Sequence, residues 1–445
     1  MIGTQRLAGI AVAVLILIPV VSLAGIAGKP PPPPPPPAAK YVTFGICEDY
    51  DKGQDLAGIA LDFQLCNQLE VDTMRVSFGW DDYEPARGQY DFAWLHDFCN
   101  LAASYGIKLR PYICYTPAWA GDGNWNSPPS NFQDWYDFCY NLALAMRNHT
   151  NIVSYEIWNE ENDMGFWWGG DVEQYKELLR QGVTAIRAAD PGRQILLGGL
   201  AWADWDFFNP IASAGYHQYY DVVPIHCYFE TWPANVHVED WFDAQWKDWF
   251  VPTNKQYGDR PIWNNEMGYS TLNRTEEAQA NFMCRSISHF ISDPEIEHIS
   301  WYEIKDLDPS HPAIGDENNY HLGITTFPSR APKKAFHTFD MITDLLDKKT
   351  ITPADADVSV TVVSGRKSRR FYTRLFKLSD GNQVLFVYDK TNTVTVNLTL
   401  KTPGSQAYKY DIYTNTPTVH ASFDGTTIAG VALTPGNVQV FRIAP

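Results

Sequence analysis

The sequence is poor in the residue patterns that several common chemistries require. Its seven cysteines (Cys47, Cys66, Cys99, Cys114, Cys139, Cys227 and Cys284) contain no C-x-x-C pair, and no histidine cluster accompanies them, so neither a zinc site nor a redox dithiol is indicated. No glycine-rich phosphate loop and no G-x-S-x-G elbow occurs, which excludes a nucleotide enzyme of the usual kind and a serine hydrolase. Basic residues are few: 34 Lys and Arg stand against 52 Asp and Glu, for a formal charge of −18. A phosphate-binding surface needs clustered Lys and Arg, so nucleic acid is not an expected partner. The one basic cluster, "GRKSRR" at 365–370, reads as a solvated loop before it reads as a site for an acidic polysaccharide. An odd number of cysteines, most in apolar runs such as "PYICYTP", points to buried thiols and leaves any pairing open.

Apolar and aromatic residues, by contrast, are plentiful. Hydrophobic residues make up 45% of the 445 positions, and 16 Trp and 24 Tyr exceed what packing usually asks for. At the N-terminus Arg6 precedes an apolar run from Leu7 to Ala27, followed by the proline run Pro30–Pro37. Residues 1–28 read as a signal peptide or membrane anchor and 29–39 as a stiff polyproline linker. A secreted or extracellular location is expected, with possible tethering to a membrane or wall.

From residue 40 short apolar runs alternate with segments of helical periodicity. The expected strands are 41–47, 73–80, 107–115, 152–160, 194–201, 221–228, 260–266 and 298–304, with helical patterns such as "DFAWLHDFCNLAASYG" between them. Eight such units with strands apolar on both faces predict a (β/α)8 TIM barrel over 40–350. From about 351 to 445 the pattern turns to period two, with turns at Asp380-Gly381 and Asp424-Gly425, and predicts a C-terminal antiparallel β-sandwich accessory domain.

In such a barrel the chemistry sits at the C-terminal strand ends. "SYEIWNEEND" puts Glu160 at the end of the fourth strand and "PIWNNEMGYS" puts Glu266 at the end of the seventh. These strands lie nearly opposite, so the two acids can converge over the mouth. Two carboxyls across a cavity suit glycosidic bond cleavage, one protonating the leaving oxygen and the other attacking or activating water. Arg75, in the apolar run "MRVSF", needs a partner, and Glu266 is the natural one. His226 and Tyr228 share a parity on the sixth strand and can bond the acids or the sugar. Trp301 is expected as an aromatic floor, and loop aromatics including Trp80, Tyr115, Trp119, Trp125, Trp167, Trp168, Trp202, Trp205 and Trp232 as sugar platforms, about half of them instead packing helices on the barrel. Glu161 and Asp163 are expected as bystanders, with Glu161 facing solvent.

The stretch from "RVSFGWDDYEPARGQY" to "PYICYTPAWA", with "YEIWNEEND", "PIWNNEMGYS" and "SWYEIKD", resembles the clan A glycoside hydrolases, and within them glycoside hydrolase family 39, over about residues 41–445. The resemblance implies a retaining β-glycosidase with Glu160 as acid/base and Glu266 as nucleophile. It also implies Asn159 on the substrate 2-hydroxyl, with Arg75, His226, Tyr228 and Trp301 in support. The family commonly has Pro where this chain has Glu161. The expected substrate is a poly- or oligosaccharide, cleaved by an endo-acting β-glycanase, with an exo-acting β-xylosidase or β-glucosidase as the alternative. A non-catalytic carbohydrate-binding barrel would lack one of the acids. No cofactor and no metal is expected; the acids of "EDYDKGQD" and "GDENN" read as solvated loops before they read as a Ca²⁺ site.

Overall fold

The computed structural model describes residues 38–232, 236–241, 245–310 and 315–445. The export segment expected at 1–28 and nearly all of the linker expected at 29–39 therefore lie outside the described residues. Among the described residues no helix is long and apolar enough to cross a membrane.

Eight parallel strands form the barrel: β1 (Lys40–Cys47), β2 (Thr73–Gly79), β3 (Lys108–Cys114), β4 (Ser154–Ile157), β5 (Gln194–Leu196), β6 (Val223–Cys227), β7 (Ile262–Met267) and β8 (Ile296–Tyr302). Neighbours pair in sequence order and β8 returns to β1, with Ile46 opposite Trp301 and Cys47 opposite Tyr302. Between β5 and β6 the wall is closed by single bridges, Leu196 to Val222 and Leu200 to Ile225. Strands buried on both faces, such as β6 with all five residues buried, read as continuous apolar runs for that reason.

The connecting helices start and stop where side chains dictate. Asp55 caps the helix Leu56–Gln68, and Asp171 with Gln174 forms a capping box on Val172–Ala189. The helix Ala93–Ser104 ends before Gly106, whose φ of 74° suits a residue without Cβ. The helix Glu276–Ser292 is buried from Gln279 to Ile291 on every face, because it lies between the barrel wall and the C-terminal sheets.

The C-terminal region contains β9 (Lys349–Pro353), β10 (Val358–Gly365), β11 (Phe371–Leu378), β12 (Gln383–Asp389), β13 (Val394–Leu400), β14 (Gln406–Asp411), β15 (Thr416–Val419), β16 (Thr427–Leu433) and β17 (Val438–Ala444). One antiparallel sheet runs β15-β14-β17-β12-β11-β9 and a second runs β10-β13-β16. Leu375, Leu385, Phe441 and Ile443 of the first face Val396, Leu398, Ile428 and Leu433 of the second. The opposite face of the first sheet, through Phe376, Phe386 and Val440, joins the barrel's own core. β9 also pairs antiparallel with β1, Lys40 opposite Ile351, so the sandwich sheet continues the barrel wall.

Candidate active site

Glu160 and Glu266 meet at the barrel mouth. One carboxylate oxygen of each, together with Nδ1 of His226, lies within a sphere where all three atoms are no more than 4.8 Å apart. His226 and Glu266 are direct neighbours in the β6–β7 register. Glu160 is carried past the end of β4 by a bent backbone: Trp158 has φ 79° and Glu160 φ 48°. Left-handed conformations cost a non-glycine residue stability and persist only where the surroundings impose them. Here the backbone N–H of Glu160 donates to Gly199 O at 2.8 Å, and the indole of buried Trp158 donates to Trp167 O at 2.9 Å.

The two acids have unlike partners. Glu266 Oε2 receives Arg75 Nη1 at 2.5 Å and its Oε1 receives the Tyr228 hydroxyl at 2.6 Å. Glu160 Oε1 lies 2.9 Å from His226 Nδ1. Burial raises both carboxyls above the ordinary glutamate range. The Arg75 charge and the Tyr228 bond pull Glu266 back, whereas the charges of Glu266 and Asp163 push Glu160 further in the direction of burial. Glu266 therefore ionises first. Burial, aided by the Arg75 charge, holds His226 well below its ordinary value, so its imidazole is neutral.

Arg75 is the hub. It is 1% exposed, and its guanidinium donates to Glu156 Oε2 at 3.1 Å and Oε1 at 2.7 Å, to Asn159 Oδ1 at 2.7 Å, to Glu266 and to Cys47 Sγ at 3.4 Å. The plane stacks over Tyr112, 4.1 Å from the ring centre. With Oδ1 of Asn159 fixed in this way, its amide nitrogen is left for the cavity, which Asn159 lines.

Sequence reasoning missed Glu156, which also accepts from Asn265 Nδ2 at 2.6 Å and from the backbone N–H of Gly199 at 3.1 Å. The signal was present: Glu156 interrupts the apolar run "SYEIW" on a strand buried on both faces, and a buried arginine needs more than one carboxylate. Asp49 and Tyr302, at the ends of β1 and β8, were missed too. Both line the cavity, and Asp49 Oδ1 receives the Tyr112 hydroxyl at 2.7 Å. Burial raises Asp49 to about 6.

Four expected placements are corrected. Trp301 is fully buried and packs edge-on against Phe282 of the helix Glu276–Ser292. It stands opposite Met267 in the β7–β8 register, on the outer parity, and the neighbouring Tyr302 takes the inner one. Trp119 does not reach the cavity; its indole donates to Glu84 O at 2.8 Å and packs edge-on against Trp80 under the Arg87 guanidinium. Glu161 does not face solvent. It is fully buried against Gly198, where a Cβ would lie 2.0 Å from its Oε2. Burial raises it to about 8. Glu48 of "EDYDKGQD" is likewise no loop acid: it is fully buried and pairs with Lys305 at 2.9 Å.

The cavity above these residues has a volume of about 1620 Å³. Of the loop aromatics, Tyr115, Trp125, Trp167, Trp202 and Trp232 line it, while Trp80 and Trp168 are buried and Trp205 bonds Thr253 at 2.9 Å. Trp125 and Trp167 meet edge to face at 5.4 Å, tying the β3 and β4 loops together. All seven cysteines are buried free thiols.

A parallel barrel with paired glutamates at the ends of its fourth and seventh strands, followed by an antiparallel sandwich, has the architecture of the clan A glycoside hydrolases. The sequence model described as cellulase (glycosyl hydrolase family 5) matches residues 50–303, more than half of the chain, and the chain belongs to that family. A β-xylosidase of Caldicellulosiruptor saccharolyticus is 29% identical over 147 residues, 30% of this chain and 29% of the relative. Endo-1,4-β-xylanase A of Phanerodontia chrysosporium is 29% identical over 167 residues, 35% of this chain and 38% of the relative. This chain thus spans about a third of the length of the curated relatives it matches. Among solved structures, a family 39 glycoside hydrolase from Bacteroides cellulosilyticus WH2 superposes with a TM-score of 0.70 at 17% identity, covering 91% of this chain and 81% of that one. A monomeric β-xylosidase from Caulobacter crescentus CB15 gives 0.64 at 16% identity, covering 92% and 98%. The family 39 resemblance of the sequence is thus met in the fold.

Proposed function

We propose that the protein is a retaining β-glycosidase acting by double displacement, with Glu266 as nucleophile and Glu160 as acid/base. The observation that carries this reading is the unequal surroundings of two carboxyls whose oxygens lie within 4.8 Å. Retaining enzymes hold their carboxyl groups about 5–5.5 Å apart, and inverting enzymes leave about 6.5–9.5 Å for a water. Glu266, ionised beside Arg75 and Tyr228, attacks the anomeric carbon. The Glu160 proton goes to the departing oxygen, and the glycosyl-enzyme ester forms as the glycosidic bond breaks. Ionised Glu160 then takes a proton from water, which attacks the anomeric carbon and releases Glu266. Neutral His226 serves both stages with its proton on Nδ1, donating to Oε1 of Glu160 at 2.9 Å. This leaves the other carboxyl oxygen to carry the proton that goes to the departing group and later comes from water. Asn159, its Oδ1 held by Arg75, offers its amide N–H to the sugar 2-hydroxyl.

An endo-acting β-glycanase fits best. The cavity, at about 1620 Å³, exceeds the roughly 300–1,000 Å³ of usual small-ligand pockets, and its aromatic lining runs from Trp125 and Trp167 to Trp232. The names of the relatives favour a β-xylan backbone while including both a β-xylosidase and an endo-xylanase. The apolar run Leu7–Ala27 supports action outside the cell. Product analysis on soluble β-xylan, β-glucan and β-mannan tests the reading. The expected result is internal cleavage of one of them with the first-formed product in the β configuration. A first-formed α product contradicts retention, release of single sugars alone selects the exo-acting enzyme, and binding without cleavage selects the non-catalytic barrel.

A further inference from the structure

The lining of the catalytic cavity carries a charge pattern that the displacement steps do not require. Among the described residues that line it, twelve are Asp or Glu and two, Lys305 and Arg330, are Lys or Arg. Neither cation is available to an anion. Lys305 Nζ is held by Glu48 Oε1 at 2.9 Å and Asp62 Oδ2 at 3.2 Å. Arg330 Nε lies 2.5 Å from Asp62 Oδ1, and its Nη2 donates to Gly58 O at 3.0 Å. Arg75, the cation nearest the reacting acids, is enclosed by Glu156, Glu266, Asn159 and Cys47. On the acidic side the balance is reversed. Asp49, Asp81 and Asp163 line the cavity and, among the described residues, form no ion pair.

A carboxylate is recognised by an unshared guanidinium or ammonium, with charge-assisted bonds. Without one it meets only the repulsion of the lining acids, which a partly desolvated cavity strengthens. A neutral sugar meets no such penalty, since its hydroxyls donate to carboxylate oxygens. We propose that the cavity selects uncharged β-glycans and rejects those bearing uronic acids near the bond to be cut. This rests on the glycosidase reading and names the substrate class within it.

The test uses the Glu160→Gln variant and three soluble forms of each of xylan, β-glucan and mannan: neutral, hydroxyethylated as a control for bulk, and carboxymethylated. On whichever backbone binds, the carboxymethylated form should bind at least tenfold more weakly than the hydroxyethylated one at about 10 mM NaCl. The gap should close toward parity at about 1 M, as the Debye length falls from about 30 Å to about 3 Å. Adding Asp81→Asn and Asp163→Asn should narrow the low-salt gap. Equal or tighter binding of the carboxymethylated form, or a gap that salt leaves unchanged, overturns the inference. A second readout needs no glycan. The fluorescence lost on Trp202→Phe reports from the cavity, and the ratio of caesium to iodide quenching of that component should exceed the ratio for free N-acetyltryptophanamide, less so with both Asp→Asn changes present. A ratio equal to or below that of the free indole overturns the inference. If no glycan binds at all, the glycosidase reading fails while the quenching still decides the charge question.

Discussion

At the end of β7, Glu266 has a guanidinium 2.5 Å away and a phenol 2.6 Å away; at the end of β4, Glu160 has, among the described residues, a neutral imidazole at 2.9 Å as its side-chain partner. Both carboxyls are buried to a similar degree, with side-chain exposures of 14% and 13%. Burial alone would therefore make them alike, and their partners set them apart. Two chemically identical side chains are driven to different protonation states by one arginine placed on one side, and that arginine is in turn fixed by Glu156.

The sharpest way to break the comparison is to remove each acid in turn. Glu266→Ala should lose about 10⁴-fold or more in kcat on every substrate, because no covalent step remains. Glu160→Ala should lose about 10²–10⁴-fold on natural leaving groups and far less on activated aryl glycosides, which need no proton. A smaller change acts on one partner. Tyr228→Phe removes a donor that favours ionised Glu266, so the acid limb of kcat/KM should move to higher pH, and kcat should fall by about 10²-fold. The basic limb, which reports Glu160, should move less.

Glu161 extends the contrast to stability. Burial raises its folded pKa to about 8, above the ordinary glutamate value of 4.5. Between those values the folded state binds more protons than the unfolded, so this group's contribution declines as pH rises from about 5 to 8. Glu161→Gln, which cannot ionise, should raise Tm relative to wild type at pH 8 and lose that advantage at pH 5, as read from thermal melts. The smallest expected effect is Trp119→Phe. Since Trp119 packs on Trp80 and Glu84 away from the cavity, KM should stay within about twofold, whereas Trp202→Ala should raise it.

Much of this was legible before any coordinates. The barrel strands read as strands because both faces are buried, and Glu160 and Glu266 stood out as acids directly after apolar runs. Arg75 announced a buried partner, though not that Glu156 would be the larger part of it. The failures share a cause. The burial of Glu161 depends on two left-handed residues in its own turn and on Gly198 just past the end of β5. Which of the adjacent Trp301 and Tyr302 faces the mouth is set by the pairing of β8 with β1, where Tyr302 stands opposite Cys47, a register between distant segments that no local pattern shows. The join of sandwich to barrel through β1 and β9 pairs segments from opposite ends of the fold, which no local pattern announces.

Azide offered to Glu266→Ala on an activated β-glycoside tests the central assignment most directly. The assignment predicts that azide restores turnover and that the product is the α-glycosyl azide, formed by one displacement through the space the carboxylate vacated, while Glu160→Ala gives the β-azide. Rescue of Glu266→Ala with a β-azide product, or full activity of that variant without azide, would show that the nucleophile lies elsewhere.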